Sequence, residues 1–287
     1  MKNFLLRANR VTRKSIRKIK TKCYSKYCEL KGYRPVNLFG RELKLSLDSQ
    51  IFGYSDLKMP AGLSKSDIVQ YADYVQFRSI VQYIDSLSSD QKPVFVDVGA
   101  CHGLYVVMIG SMLKEKGGIV IAIEPDQENF SILKKNISLN SLEDTIICEQ
   151  MAISDYHSEG YICGEGTQAY LVKNVFENNG VNKNKIIVSP LQPILEKFNI
   201  SKIDCLLIDV EGAELNVLRS INFEKTHVSK IYCELHPYAW DKFGYLAEEM
   251  GEFLKNNNYY CLDMYLQEHA DFQGKKGYIG PTLFIRI

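Results

Sequence analysis

The stretch Val94–Gly103, reading VFVDVGACHG, constrains this chain more than any other. An apolar run that ends in Asp97 and Gly99, with a second glycine at Gly103 and a helical pattern after it, describes a buried strand turning sharply into a helix. Glycine at such a turn lets a ligand approach the backbone. The N–H groups of the next helix's first turn are unpaired and carry partial positive charge, so the turn suits the polar end of a cofactor.

From this turn onward the chain alternates regularly. Strands are predicted at Val94–Val98, Gly118–Glu124 and Ile146–Ile153, with helices at Leu104–Lys114 and Glu128–Asn140 between them. Strand, helix, strand at this pitch implies right-handed crossovers and a parallel sheet. A polar interlude, Ser154 to Asn184, shows no clear period and reads as a loop, with Tyr161, Gly164, Glu165, Gly166, Thr167 and Gln168 available as one wall of an acceptor site. The pattern resumes with Ile186–Val188, a helix around Ile194–Phe198, strand Cys205–Val210, a helix from Glu214 to Ser220, strand Ile231–Leu235 and a helix carrying Leu246, Met250, Phe253 and Leu254. Two last strands, Tyr260–Leu266 and Leu283–Ile287, have no helix between them, which makes them antiparallel neighbours. Before the alternation, Phe39-Gly40-Arg41-Glu42 and the alternating Leu43–Leu47 read as a hairpin. Ser64 and Asp67 have capping-box spacing, and they precede a helix with Phe77, Ile80, Val81, Ile84 and Leu87 in register.

A net charge of +1 hides an asymmetry: residues 1–35 hold 12 of the 35 Lys and Arg and 1 of the 34 acids. The remainder therefore carries 23 basic against 33 acidic residues. Three segments result: a basic arm over 1–35, a leader hairpin and helix over 36–90, and a cofactor-binding domain over 91–287. The arm reads equally as a solvated tail and as a segment drawn to an anionic membrane surface, and nothing in it specifies nucleic acid. Its acid-poor, basic character also fits an organellar transit peptide. Eight cysteines stand singly, several within apolar runs, with no metal-like spacing, so they are expected to be reduced core residues of a soluble, cytoplasmic protein.

In an open α/β sheet, ligands bind beyond the carboxyl ends of the strands. Those ends present Asp97, Gly99, Ala100, His102 and Gly103, then Glu124 and Pro125, then Met151 and Ala152. Asp209-Val210-Glu211-Gly212 and Glu234-Leu235-His236 stand at the later ones. Glu124, one strand–helix–strand unit past the glycine turn, is placed to accept hydrogen bonds from both hydroxyls of a ribose. Both nicotinamide dinucleotides and S-adenosylmethionine use such an acid. Three features favour the latter. The turn lacks the middle glycine of G-x-G-x-x-G; Asp97 would repel a pyrophosphate but pairs with an ammonium; and a closing antiparallel hairpin is foreign to a plain dinucleotide domain.

Val96–Ala100, Ile123-Glu124-Pro125-Asp126, Asn129-Phe130, Leu133, Asn136, Asn140, Asp209–Glu214 and Glu234-Leu235-His236 together resemble the FkbM family of S-adenosylmethionine-dependent methyltransferases. The resemblance covers roughly residues 90 to 240 and departs at Cys101-His102, where many relatives have Asn-Ile or Asn-Val. It implies a class I methyltransferase fold, Rossmann-like, with a seven-stranded, mostly parallel sheet and a closing hairpin. It also implies O-methylation, commonly of a sugar or polyketide hydroxyl. Expected cofactor contacts are Asp97, Gly99, Ala100, His102, Gly103, Glu124, Pro125, Asn129, Met151 and Ala152, and expected catalytic residues are Asp209, Glu234 and His236. Asp209 or His236 is favoured as the base. No metal ligand is assigned, although two carboxylates and a histidine would suit a divalent ion such as Mg²⁺. Glu211 is read as catalytic or as structural, Asn140 as a left-handed helix end, and Trp240 as a sugar-stacking ring or core. A nicotinamide-dependent oxidoreductase on a similar sheet and a non-catalytic cofactor-binding scaffold remain as alternatives.

Overall fold

The computed structural model describes residues 25–49, 72–163, 170–172, 184–263 and 280–286. After a short helix over 25–31 comes a hairpin of β1 (Arg34–Leu38) and β2 (Arg41–Leu45). Its two-residue turn, Phe39 and Gly40, has positive φ at both positions (47° and 83°), the backbone that matches the twist of paired strands. Helix α1 (Ala72–Ser86) turns Phe77, Ile80 and Ile84 fully inward, as their spacing predicts.

The main alternation is β3 (Val94–Val98), α2 (Leu104–Lys116), β4 (Ile119–Ile123), α3 (Gln127–Leu139) and β5 (Ile146–Glu149). Beyond a smaller second sheet come α4 (Leu191–Lys197), β10 (Lys202–Ile208), α5 (Glu214–Arg219), β11 (His227–Leu235), α6 (Ala247–Asn256), β12 (Tyr259–Asp263) and β13 (Gly280–Arg286). Seven strands join in the order β12-β13-β11-β10-β3-β4-β5. β13 runs antiparallel to both of its neighbours, and every other pairing is parallel. This is the class I methyltransferase arrangement. Strand order reverses between β3 and β10, which puts the crevice for a ligand beyond their carboxyl ends.

Side chains alternate across the sheet and so divide the core in two. Val96, Val98, Ile121, Ile123, Leu206, Ile208 and Ile231 pack with α4, α5 and α6. Phe95, Val120, Ala122, Leu207 and Tyr232 face α1, α2 and the leader hairpin.

Asparagines on α3 fasten the hairpin in place. Asn140 accepts from the Lys44 N–H at 2.9 Å and donates to its carbonyl at 2.7 Å, so one amide satisfies both backbone groups of an edge residue. One turn earlier, the fully buried Asn136 accepts from the Ser46 N–H at 2.6 Å and donates to the His102 carbonyl at 2.6 Å. The left-handed residue expected at Asn140 is instead Ser141 (φ 54°), and Asn140 itself sits at φ −105°.

Two sequence expectations fail in the middle of the chain. The predicted strand Ile146–Ile153 is broken at Gln150 and Met151, and its second piece, β6 (Ala152–Ile153), leaves the main sheet. The interlude is also no simple loop. It contributes β7 (Ser158–Cys163), β8 (Tyr170–Val172) and β9 (Asn184–Ser189) to a four-stranded sheet in the order β6-β9-β7-β8. Ile186–Val188 thus belongs to this second sheet, where Ile186 and Val188 turn inward with Ala152 and Ile162 while Ile187 stays exposed. Gly164, Glu165, Gly166, Thr167 and Gln168 lie outside the described residues, as do the Ser64–Asp67 cap and most of the basic arm. No helix among the described residues is long and apolar enough to cross a membrane.

Candidate active site

Gly99 is required by the protein before any ligand arrives. Its φ is 91°, and a Cβ there would stand 1.8 Å from the carbonyl oxygen of Asp209. The turn is clamped from the other side by hydrogen bonds from the N–H groups of Gly99 and Ala100 to the Ile123 carbonyl, at 2.9 and 3.0 Å. Asp209 in turn donates its N–H to the Val98 carbonyl at 3.0 Å. Gly103, at φ 78°, begins α2 and lies against Leu133, whose Cδ1 a Cβ would meet at 2.3 Å. The turn, the end of β4 and the end of β10 therefore form one packed unit.

Three carboxylates converge on it. Asp97 is buried; burial pushes its carboxyl well above the usual range, and the charges of Asp209 and Glu124 add to the rise. Glu124, also buried, accepts from the N–H of Cys101 at 2.7 Å through one oxygen and from the N–H of Asp126 at 2.9 Å through the other. Burial raises it to about 7 against the pull of those hydrogen bonds. Among the described residues, the charges that shift Asp97 are those of Asp209 and Glu124, both acidic. Such a place is hostile to a pyrophosphate and favourable to a sulfonium and an ammonium, the two cationic centres of S-adenosylmethionine.

Behind Glu124 stands a positioning chain. Asn129 donates to Glu124 Oε1 at 3.5 Å, and its carbonyl oxygen lies 3.1 Å from His102 Nε2. His102 is buried, and burial holds its pKa below the ordinary value. Both residues sit against the carboxylate and the turn. Pro125 is half-buried beside Glu124. Met151 is half-buried after β5, whereas Ala152 is buried in the core of the second sheet.

The ends of β10 and β11 meet at His236, only 5% exposed. Its Nδ1 lies 2.7 Å from Oε1 of Glu214, a side chain with no exposure at all. The same Glu214 oxygen accepts from the Gly212 N–H at 2.9 Å, and the other accepts from Trp240 Nε1 at 2.7 Å and the Tyr245 hydroxyl at 3.1 Å. Nε2 of His236 faces Glu211 at 3.7 Å and Glu234 at 3.8 Å. Burial alone would lower its pKa, but the Glu214 hydrogen bond and the charges of Glu214, Asp209 and Glu211 outweigh it and raise the imidazole to about 9. His236 and the carboxylates around it are thus coupled through one hydrogen bond and two longer ion pairs.

Glu211 is presented to the pocket by a left-handed backbone (φ 51°), followed by Gly212 at 115°, packed against Ala239 and Phe243. Trp240 is 2% exposed and belongs to the core, so it cannot stack on a sugar. The exposed aromatic at the mouth is Tyr238, 60% exposed, with its hydroxyl donating to Glu211 at 3.1 Å and its ring edge-on to His236. The sequence places Glu214 among the ionisable residues near the mouth, beside His236 and Glu211, without pairing it to His236, and gives Tyr238 no role. The signal for Tyr238 is its place two residues past His236, beyond a strand end.

The family profile of the methyltransferase FkbM domain matches residues 97–261, from Asp97 in β3 to Cys261 in β12. The chain belongs to the FkbM methyltransferase family. That membership is with S-adenosylmethionine-dependent methyltransferases and not with nicotinamide oxidoreductases. Among solved structures, methyltransferase FkbM from Methylobacillus flagellatus KT is similar at 18% identity and a TM-score of 0.43, over 69% of this chain and 44% of that one. This FkbM chain thus spans less than half of that protein's length. The N-terminal domain of human METTL16, solved with S-adenosylhomocysteine, is similar at 15% identity and a TM-score of 0.38, over 84% and 74% of the two chains. M. capricolum TrmK, solved with the same cofactor product, gives 12%, 0.37, 71% and 66%. No curated protein matches the sequence.

Proposed function

We propose that this FkbM-family enzyme transfers the methyl group of S-adenosylmethionine to a hydroxyl of a sugar, glycan or related polyhydroxylated metabolite. The observation that carries the reading is the convergence of Asp97, Glu124, Asp209 and His236 at the ends of four adjacent strands, around one glycine turn. Cofactor and acceptor then meet across the β3–β10 crevice. Asp97 receives the cofactor's ammonium, Glu124 the ribose hydroxyls, and Gly99 to Gly103 the remainder of its amino-acid end.

Methyl transfer is an in-line displacement: the acceptor oxygen forms a bond to the methyl carbon, the carbon–sulfur bond breaks, and S-adenosylhomocysteine leaves. The protein positions the two reactants and takes up the hydroxyl proton. The proton goes to one of Asp209, Glu211, Glu234 and His236, the ionisable side chains gathered at the mouth. Tyr238, exposed and edge-on to His236, offers the apolar face of a sugar a stacking surface.

The test is incubation of the purified full chain with methyl-labelled S-adenosylmethionine and fractions of cell glycans, glycolipids and small sugars. Label in a base-stable sugar ether supports the reading, and label confined to the protein itself removes it.

A further inference from the structure

We propose that Asp209, Glu211 and His236 form a site for one divalent cation of the manganese or magnesium class, on the acceptor side of the cofactor pocket. One ligand atom from each of the three lies within 4.8 Å of the others, a separation that a single bound ion closes with small side-chain movements. The donors are two carboxylates and one imidazole, a set that suits a hard to borderline cation.

The carboxylates alone would be an ordinary acidic cluster. The independent observation is the imidazole: 5% exposed, it directs Nε2 into the cluster, with the Glu211 and Glu234 oxygens at 3.7 and 3.8 Å, both beyond hydrogen-bonding distance. On its far side Nδ1 is fixed by Glu214 at 2.7 Å, and Glu214 is itself locked by Gly212, Trp240 and Tyr245. A carboxylate behind a histidine, turning its other nitrogen to a common point with further carboxylates, is how metal-binding histidines are oriented. Charge agrees with geometry. Asp209, Glu211, Glu214 and Glu234 surround a single imidazole, and an ion of charge two offsets the excess. When the ion binds, Nε2 gives up its proton to solvent.

The purpose of the site rests on the methyl-transfer reading, in which the ion would lower the pKa of the acceptor hydroxyl. Glu234, outside the ligand set, is then left to receive the proton.

The experiment is titration of the full chain with Mn²⁺ alone, monitored by electron paramagnetic resonance, for the wild type and for His236→Gln, Asp209→Asn and Glu211→Gln. Circular dichroism and urea midpoints verify folding, and Glu211, half-buried at the mouth, supplies a variant that leaves the core intact. Expected are one Mn²⁺ per chain, a nitrogen coupling from the imidazole that His236→Gln abolishes, and affinity weakened roughly tenfold or more in each variant. A free-ion spectrum throughout the wild-type titration, or equal affinity in all variants, overturns the site. Thermal shifts with S-adenosylhomocysteine on the same samples separate the two readings. A shift without Mn²⁺ binding overturns the ion site alone. Mn²⁺ binding without a shift removes the methyl-transfer reading and leaves the ion site standing.

Discussion

The carbonyl oxygen of Asp209 occupies the space that a Cβ on Gly99 would need, 1.8 Å from its centre. The glycine that opens the turn after β3 is thus fixed by a contact with the end of β10. Gly99→Ala must displace β10 or the turn, on top of the cost of a side chain at φ 91°. The expected loss is about 2–4 kcal/mol, read as a lower urea midpoint, with cofactor binding lost in proportion. A stable Gly99→Ala protein would show that the strand ends slide freely.

Asn136→Leu should cost about 3 kcal/mol, because the buried Ser46 N–H and His102 carbonyl lose their partner together. Asn140→Ala, which frees both polar groups of the more exposed Lys44 to water, should cost about 1 kcal/mol. Chemical denaturation of the two variants measures the difference, and equal losses would contradict it.

Glu124 gives a pH signature. Its folded pKa of about 7 lies above the ordinary value of 4.5, so folding favours its protonated form. Stability from this group is greatest below about pH 4.5, declines as pH rises to about 7, and is level above. The fall is on the order of 3 kcal/mol. Urea midpoints of wild type and Glu124→Gln should converge or cross over that window, the variant lacking this part of the slope. Parallel curves would place the ionisation elsewhere. Glu124→Gln should also weaken S-adenosylhomocysteine binding about tenfold, by calorimetry at pH 8, through the loss of an ionised acceptor for the ribose.

Tyr238→Ala removes an exposed ring and leaves the core intact, so the melting temperature should stay within a degree or two. If the ring supports the acceptor, KM for it rises about tenfold with kcat little changed. An unchanged KM would move the acceptor away from this side of the mouth.

Much of the fold, and the place of the candidate site, was legible in the sequence for a physical reason: buried parallel strands are short apolar runs, and a residue at or near the end of each contradicts the polarity of the run. Asp97, Glu124, Asp209 and His236 announce themselves that way. The second sheet did not, because Ser158–Cys163 buries only a few side chains and Ile187 is exposed in the middle of its apolar run. The pairing of Glu214 with His236 was also hidden. It spans 22 residues and joins a helix start to a strand end, so no local period records it. Trp240 was ambiguous for the same reason, since only the partner at its Nε1 distinguishes a buried ring from a platform.

β13 lies between β11 and β12, so the strand nearest the end of this sequence is an interior strand of the main sheet. β12 pairs with β13 and not with β11, so it can join the main sheet only after residues 280–286 have been made. A stop codon anywhere between Asp263 and Gly280 would release a chain with two unpaired apolar edges, a substrate for aggregation or proteolysis despite holding every residue of the candidate site.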